Sequence, residues 1–232
     1  MSDLYLSRVS LRRDASTRAL TGIILKGSGG EQCNASHSLL WSLFADSPDR
    51  ERDFLWRQME GGSCLILSER LPEDRHALFD VESKGFEPNL QSGDKLQFQL
   101  CVNATVARKN DEQKGKRERG KRHDIVMDAL YKIQRDQRAE KRVELTHNAA
   151  LSWMSAQGDK AGFRMTEAFD VKSCDILKIP RKQFYKYATF GVMDVTGVLE
   201  VTDPERFLGK VKEGFGRAKA FGCGLMLIRR AC

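Results

Sequence analysis

The stretch DPERFLGKVKEGFGRAKAFGCGLMLIRR, residues 203–230, can be read in two ways that lead to different folds. Four glycines, Gly214, Gly216, Gly222 and Gly224, bracket a basic insert holding Arg217 and Lys219. Such loops often meet phosphates, and a dinucleotide fingerprint has similar letters. That fingerprint requires a strand before GxGxxG and a helix after it. Here the order is reversed. Asp203-Pro204-Glu205 is a strong helix start, with Asp as cap and Pro in the first turn. ERFLGKVKEGFG therefore reads as helix, and LMLIRR, 225–230, as a closing strand. The chain also has no GxxxxGK[ST]. The nucleotide-binding α/β folds are excluded by context. A glycine loop in this setting still lets another backbone approach closely, because glycine has no Cβ, and its amides can line an anion site. A glycine-rich turn that merely ends a helix has the same composition.

Outward from this end, FYKYATFGVMDVTGVLEVTD, 184–203, and FRMTEAFDV, 163–171, alternate as strands do. HDIVMDALYKIQRDQRAEKR, 123–142, has helical spacing at Ile125, Val126, Leu130 and Ile133. ELTHNAALSWMSAQGD, 144–159, is a second helical stretch, and KLQFQLCVNATVAR, 95–108, a long strand before both. The first half has a similar plan. YLSRVSL, 5–11, is a strand, residues 12–36 are polar and end in a loop at 26–32, and NASHSLLWSLFAD, 34–46, is a helix capped by Asn34 or Ser36. RDFLWRQME, 52–60, turns at Gly61-Gly62 into CLILSER, 64–70. LPEDRHAL, 71–78, fits a short helix and FDVESKGFEP, 79–88, a last strand. The expected fold is α+β, two tandem ferredoxin-like (RRM-like) domains over 1–92 and 93–232, with no internal sequence repeat.

The 232 residues carry a net charge of +7, unevenly spread. Residues 1–100 sum to −3 and the remainder to +10. In RKNDEQKGKRERGKR, 108–122, eight basic residues face three acidic ones. This points to a polyanion bound by the second half, although one charge run alone is also what a solvated loop looks like. No run of eighteen apolar residues suggests a membrane span, and MSDLYLSRV lacks a signal-peptide pattern. The six cysteines show no CxxC pairing and no zinc spacing with the four histidines. They read as reduced thiols of a cytoplasmic protein.

The glycine stretch GxGxAKxxGxGL, Gly214 to Leu225, resembles the C-terminal G-loop of the CRISPR repeat-RNA endoribonucleases, in particular the type I-E CasE branch. LYLSRV, 4–9, SHSLLWSLFAD, 36–46, RDFLWR, 52–57, and FQLCVNATVARK, 98–109, resemble further segments of that family in the same order. The resemblance implies an endoribonuclease that binds the hairpin of the CRISPR precursor RNA and cuts at the 3′ base of the stem. It implies no metal and no cofactor, with 2′-OH attack leaving a 5′-OH and a cyclic or open 3′ phosphate. It also implies retention on the guide hairpin within Cascade, beside the other subunits and the adjacent backbone subunit, away from any membrane.

Such chemistry needs a proton acceptor or donor and stabilisation of phosphorane charge. His37 matches the family's catalytic histidine by position, with His123 the second choice and His76 and His147 read as structural or exposed. Asn34 stands where some members have a tyrosine, which leaves the second catalytic group unassigned. The expected RNA contacts are Gly214, Gly216, Arg217, Lys219, Gly222 and Gly224 of the loop, together with Arg108, Lys109, Arg117, Arg119, Lys121 and Arg122 of the basic segment. Lys160, in a turn after the second helix, is a weaker candidate. Two alternatives stay open: an RNA-hairpin clamp without catalysis, and a DNA-binding regulator. The second is disfavoured because the 123–159 helices lack a tight glycine turn.

Overall fold

Each half of the chain builds a four-stranded antiparallel sheet, and the two sheets share one strand order. The structure is a computed structural model that describes residues 4–14, 17, 29–45, 52–109, 120–180 and 187–231. The first unit contains β1 (Tyr5–Leu11), α1 (Gly29–Trp41), β2 (Phe54–Gln58), β3 (Cys64–Ser68) and β4 (Phe79–Gly85). Its order is β2-β3-β1-β4. The second contains β5 (Lys95–Val102), a hairpin of β6 (Thr105–Arg108) and β7 (Lys121–Asp124), then α2 (Ile125–Tyr131) and α3 (Arg142–Ala161). It continues with β8 (Phe163–Pro180), β9 (Tyr187–Val201), α4 (Pro204–Glu213) and β10 (Met226–Arg230). The order β10-β5-β9-β8 repeats that of the first sheet, counted strand by strand. These are tandem ferredoxin-like units. The expected division after residue 92 falls in the 86–94 segment joining β4 to β5.

Alternation explains the strands. β5 turns Leu96, Phe98, Leu100 and Val102 inward and its other side chains outward. β2 is different: Phe54, Leu55 and Trp56 are all buried. Phe54 and Trp56 join Leu40, Leu43 and Phe44 of the α1 side, whereas Leu55 joins the core of the second unit. The strand is apolar on both faces because it is packed between two cores. The Arg57–Asp194 ion pair, 2.5 Å, crosses the same boundary.

Several elements differ from expectation. α1 begins at Gly29, so residues 29–32 are helical rather than loop and Asn34 lies inside the helix rather than at its cap. The helix also ends at Trp41, before 46. The cause is tertiary: the long β8–β9 arm reaches over the start of α1, and Gly30 sits directly on the Lys178 carbonyl. Residues 71–78 form turns rather than a helix. There the Asp74 carboxylate accepts the amides of Leu78 and Phe79, at 3.1 and 2.9 Å, and this competes with helix. The 95–108 strand is broken at Asn103-Ala104, where the chain leaves the sheet to form the β6–β7 ribbon. The 123–142 helix is shortened to α2, because Asp124 closes β7 and caps the helix through the amides of Val126 and Met127. A 3-10 turn at Arg135–Gln137 then intervenes. α3 continues through Ala161, so Lys160 belongs to its last turn and not to the following one. β8 extends past 171 to Pro180, carrying the arm to α1.

α4 matches expectation. Asp203 accepts the Arg206 amide at 3.1 Å and Pro204 takes the first turn. Five free cysteines occur among the described residues. Burial pushes the Cys64 thiol up to about 12, which makes it an inert core group. Among the described residues no helix is long and apolar enough to cross a membrane.

A Cβ at Gly30 would fall 2.0 Å from the Lys178 carbonyl oxygen, whereas one at Gly29 would meet only Leu177 Cδ2, at 4.0 Å. Gly30→Ala is expected to cost about 1–3 kcal/mol, by overpacking against backbone. Gly29→Ala is expected to be near neutral. Urea midpoints of the two variants check the pair.

Candidate active site and nucleic-acid interface

The sequence places His37 in α1, and the fold brings α1 beside the turn that follows α4. The imidazole is half-buried in an aromatic setting. Its ring centroid lies 6.0 Å from Trp41, 6.4 Å from Phe54 and 6.5 Å from Phe221. Phe221 is itself 5.7 Å from Phe190 of β9. The histidine is therefore held by its own helix, by β2 and by the second unit at once. Its Nδ1 is buried without a hydrogen-bond partner. A charged ring whose Nδ1 side is desolvated and unpaired is poorly solvated, which disfavours the imidazolium. Burial pulls the His37 pKa below its ordinary 6.5, and the charge of Arg52 lowers it further.

Arg52, just ahead of β2, was not singled out by the sequence. It is half-buried and makes no ion pair with any described residue. Its charge acts on both His37 and Lys219. Nothing local marks it, since a lone arginine before a strand is ordinary; only the approach of three elements identifies it. Lys219 folds inward. Its Nζ donates to the Glu213 carbonyl at 2.5 Å, across the C-terminal end of α4. Burial lowers its pKa, Glu213 opposes that, and Lys210 and Arg52 add to it.

The loop glycines are mostly packed against protein. Gly214, Gly222 and Gly224 are buried, and Gly216 is partly so. At Gly222 (φ +78) a Cβ would sit 3.3 Å from the Trp56 ring, and at Gly224 (φ +94) it would sit 2.7 Å from the Phe215 carbonyl. Gly214 backs onto Leu55 and Gly216 onto Val102. The Trp56 indole donates to the Ala220 carbonyl at 3.2 Å. The glycines let the loop press into the seam between the units, and its outward side chain is Arg217, exposed and without an ion pair among the described residues.

The second basic group lies on the β6–β7 ribbon. Arg108 and Lys121 are register partners, as are Ala107 and Arg122, so the cations occupy both ribbon faces. Arg108 forms a bidentate pair with Asp128, at 2.8 and 2.6 Å. That pairing holds the Asp128 carboxyl down at about 2. Lys109, Lys121 and Arg122 are exposed. Arg117 and Arg119 lie outside the described residues. His123 is on β7 opposite Val106, with the ribbon and not with the His37 group. Lys160 is exposed at the end of α3, where its carbonyl accepts from Arg206 at 2.7 Å. His147 contacts the Phe169 carbonyl at 3.3 Å and packs on that ring, and His76 is exposed in a turn.

Buried Asn103 connects the two groups. Its carbonyl accepts the Arg217 amide at 3.0 Å, and its Nδ2 donates to the Gly191 carbonyl at 2.7 Å. Gly191 in turn faces the Asp124 carboxylate at the base of the ribbon. Loop and ribbon are thus tied together through buried contacts. Among the described residues no group of His, Cys, Asp and Glu is arranged to hold a metal ion.

The comparisons with known proteins agree with this architecture. The Cascade subunit CasE of Escherichia coli K12 is 26% identical over 217 residues, covering 89% of this chain and 96% of that protein. A structure of the CRISPR endoribonuclease Cse3 bound to a 19 nt RNA superposes with a TM-score of 0.70 at 19% identity, covering 99% of each chain. Thermus thermophilus Cse3, bound to an RNA representing a pre-cleavage complex, gives 0.68 at 19% identity, over 98% of this chain and 99% of that one. At these identities the structures establish the shared fold. A family model described as CRISPR associated protein matches residues 4–230. With the match running from β1 to β10, the chain belongs to the CRISPR-associated protein family.

Proposed function

We propose that the protein is the repeat-processing endoribonuclease of a Cascade complex: it binds the hairpin of the CRISPR precursor RNA, cuts at the 3′ base of the stem, and keeps the guide. The observation that carries this reading is a half-buried, neutral-leaning histidine under the charge of Arg52, which also acts on Lys219 of the adjoining loop. His37 comes from α1, Arg52 from the approach to β2, and Lys219 from the loop after α4. The kinship supports the substrate: one relative is named as a Cascade subunit and another as a CRISPR endoribonuclease bound to RNA.

On this reading His37 works through Nε2, since Nδ1 is covered. It accepts the 2′-OH proton as that oxygen attacks the adjacent phosphorus. The bond from phosphorus to the 5′-oxygen breaks, leaving a 2′,3′-cyclic phosphate and a 5′-OH. Arg52 stabilises charge on the phosphorane and takes the place left by Asn34. The exposed Arg217 side chain grips the backbone next to the cut. Arg108, Lys109, Lys121 and Arg122 hold the stem, where A-form RNA is recognised by shape and phosphates. Retention beside the other Cascade subunits follows from the same grip. The hairpin clamp without catalysis keeps every contact except the proton transfer.

Cleavage of a labelled repeat hairpin in EDTA, with binding measured alongside, tests this. His37→Ala is expected to slow cleavage about 10²- to 10⁴-fold while binding is kept. Binding with no cleavage by either protein would mean the clamp. The lowered His37 pKa keeps the base form populated below pH 6.5, so the acid limb of the rate profile is expected beneath that value. Arg52→Gln is expected to reduce the rate about 10²-fold and to move that limb upward, because the repelling charge is gone. An unmoved limb would refute the pairing. Lys121→Ala is expected to lower the slope of log affinity against log salt by about one, read by anisotropy titrations.

A further inference from the structure

The connection between α2 and α3 carries a second basic surface with an aromatic group at its centre. The α2 side chains Ile125, Val126 and Leu130 point into the core. On the opposite strip, Met127 is 56% exposed and Tyr131 83% exposed, four residues apart and therefore neighbours on one face. Arg138 folds back to hold this end. Its Nε donates to the Ile133 carbonyl at 3.0 Å and its Nη2 to the Tyr131 carbonyl at 3.4 Å. The guanidinium carbon lies 5.9 Å from the Tyr131 ring centroid, within cation–π reach. Lys132, Arg135 and Lys141 of the same connection and Arg142 at the start of α3 are all exposed, interspersed with the exposed Asp136, Glu140 and Glu144. Lys132 is tied to Asp128 at 3.3 Å, but Arg135, Lys141 and Arg142 make no ion pair with described residues. Through Asp128, which also binds Arg108, this surface is continuous with the β6–β7 ribbon.

A solvated tyrosine held against an arginine, on a connection that carries further exposed cations, has the properties of a base-stacking step. The ring offers a flat apolar face that tolerates any base, and the cations complement the phosphates on either side. We propose that Tyr131 and Arg138 form a stacking platform for an unpaired base of the bound RNA, with Arg135, Lys141 and Arg142 on the neighbouring phosphates. This rests on the RNA-hairpin reading above, and it adds recognition of unpaired nucleotides to recognition of the stem. The charge complementarity favours RNA over an apolar protein partner.

The test uses the full-length protein and four RNA probes. Two are hairpins with 2-aminopurine, one in the loop and one in an unpaired 3′ flank. The others are a closed duplex without unpaired nucleotides and a short unstructured strand. The expected result is quenching of one hairpin probe, identifying loop or flank as the source, that is lost in Tyr131→Ala and kept in Tyr131→Phe. Affinity for that hairpin and for the unstructured strand is expected to fall about tenfold in Tyr131→Ala, with the duplex unaffected. Hairpin binding by the unmodified protein with no Tyr131 dependence in any probe, or equal weakening of hairpin and duplex, overturns the platform and leaves the hairpin reading standing. Tyr131-dependent binding of the unstructured strand without preference for a hairpin does the reverse. No RNA binding at all by the unmodified protein overturns both.

Discussion

The indole of Trp56 joins the two halves of the molecule. It is fully buried, its N–H bonds the Ala220 carbonyl at 3.2 Å, and its ring lies 3.3 Å from where a Cβ at 222 would stand. Trp56 belongs to the first sheet and the loop it holds belongs to the second unit. Their contact sets how the loop meets α1, and with it the distance of Phe221 from His37. A buried N–H must find an acceptor or lose its hydration without return. The loop carbonyl supplies one, and the glycines let the backbone come near enough to do so.

That seam gathers charge. Arg52 and Lys219 come from different units and both are partly withdrawn from water; Arg52 repels Lys219 and the His37 imidazolium, while Glu213 holds Lys219. On the proposed function, a phosphodiester entering beside Arg52 offsets this repulsion, because an anion stabilises both cations together. On the proposed function, the cost of assembling the cations is carried by packing at Trp56 and recovered when RNA binds. Neutral His37 fits the same environment, since a base must be unprotonated before the reaction. On the same reading the exposed ribbon cations bear on affinity rather than on the chemical step.

Much of the fold was legible from the chain. Alternation located the strands of both sheets, and Asp203-Pro204 located α4. Where the expectation failed, a contact remote in sequence or a side chain competing for backbone amides was responsible. Asp74 turned a helix-like stretch into turns, and Asp124 divided a ribbon strand from α2. The start of α1 at Gly29 could not be read locally, since two glycines disfavour helix. It is helical there because the β8–β9 arm lies across it.

The sequence by itself determined the similar succession of strands in the two halves, the excess of positive charge in the second half, the glycine loop between a helix and a strand, and His37 as the histidine of the first helix. These are properties of neighbouring residues, and periodicity, capping and composition report them. Only the tertiary structure decided that Arg52 stands with His37 and Lys219, that the loop glycines are packed against Trp56 and Leu55, and that Asn103 links loop to ribbon. Those relations join residues far apart along the chain. They are set by how two cores share one strand, β2, and no local pattern encodes that geometry.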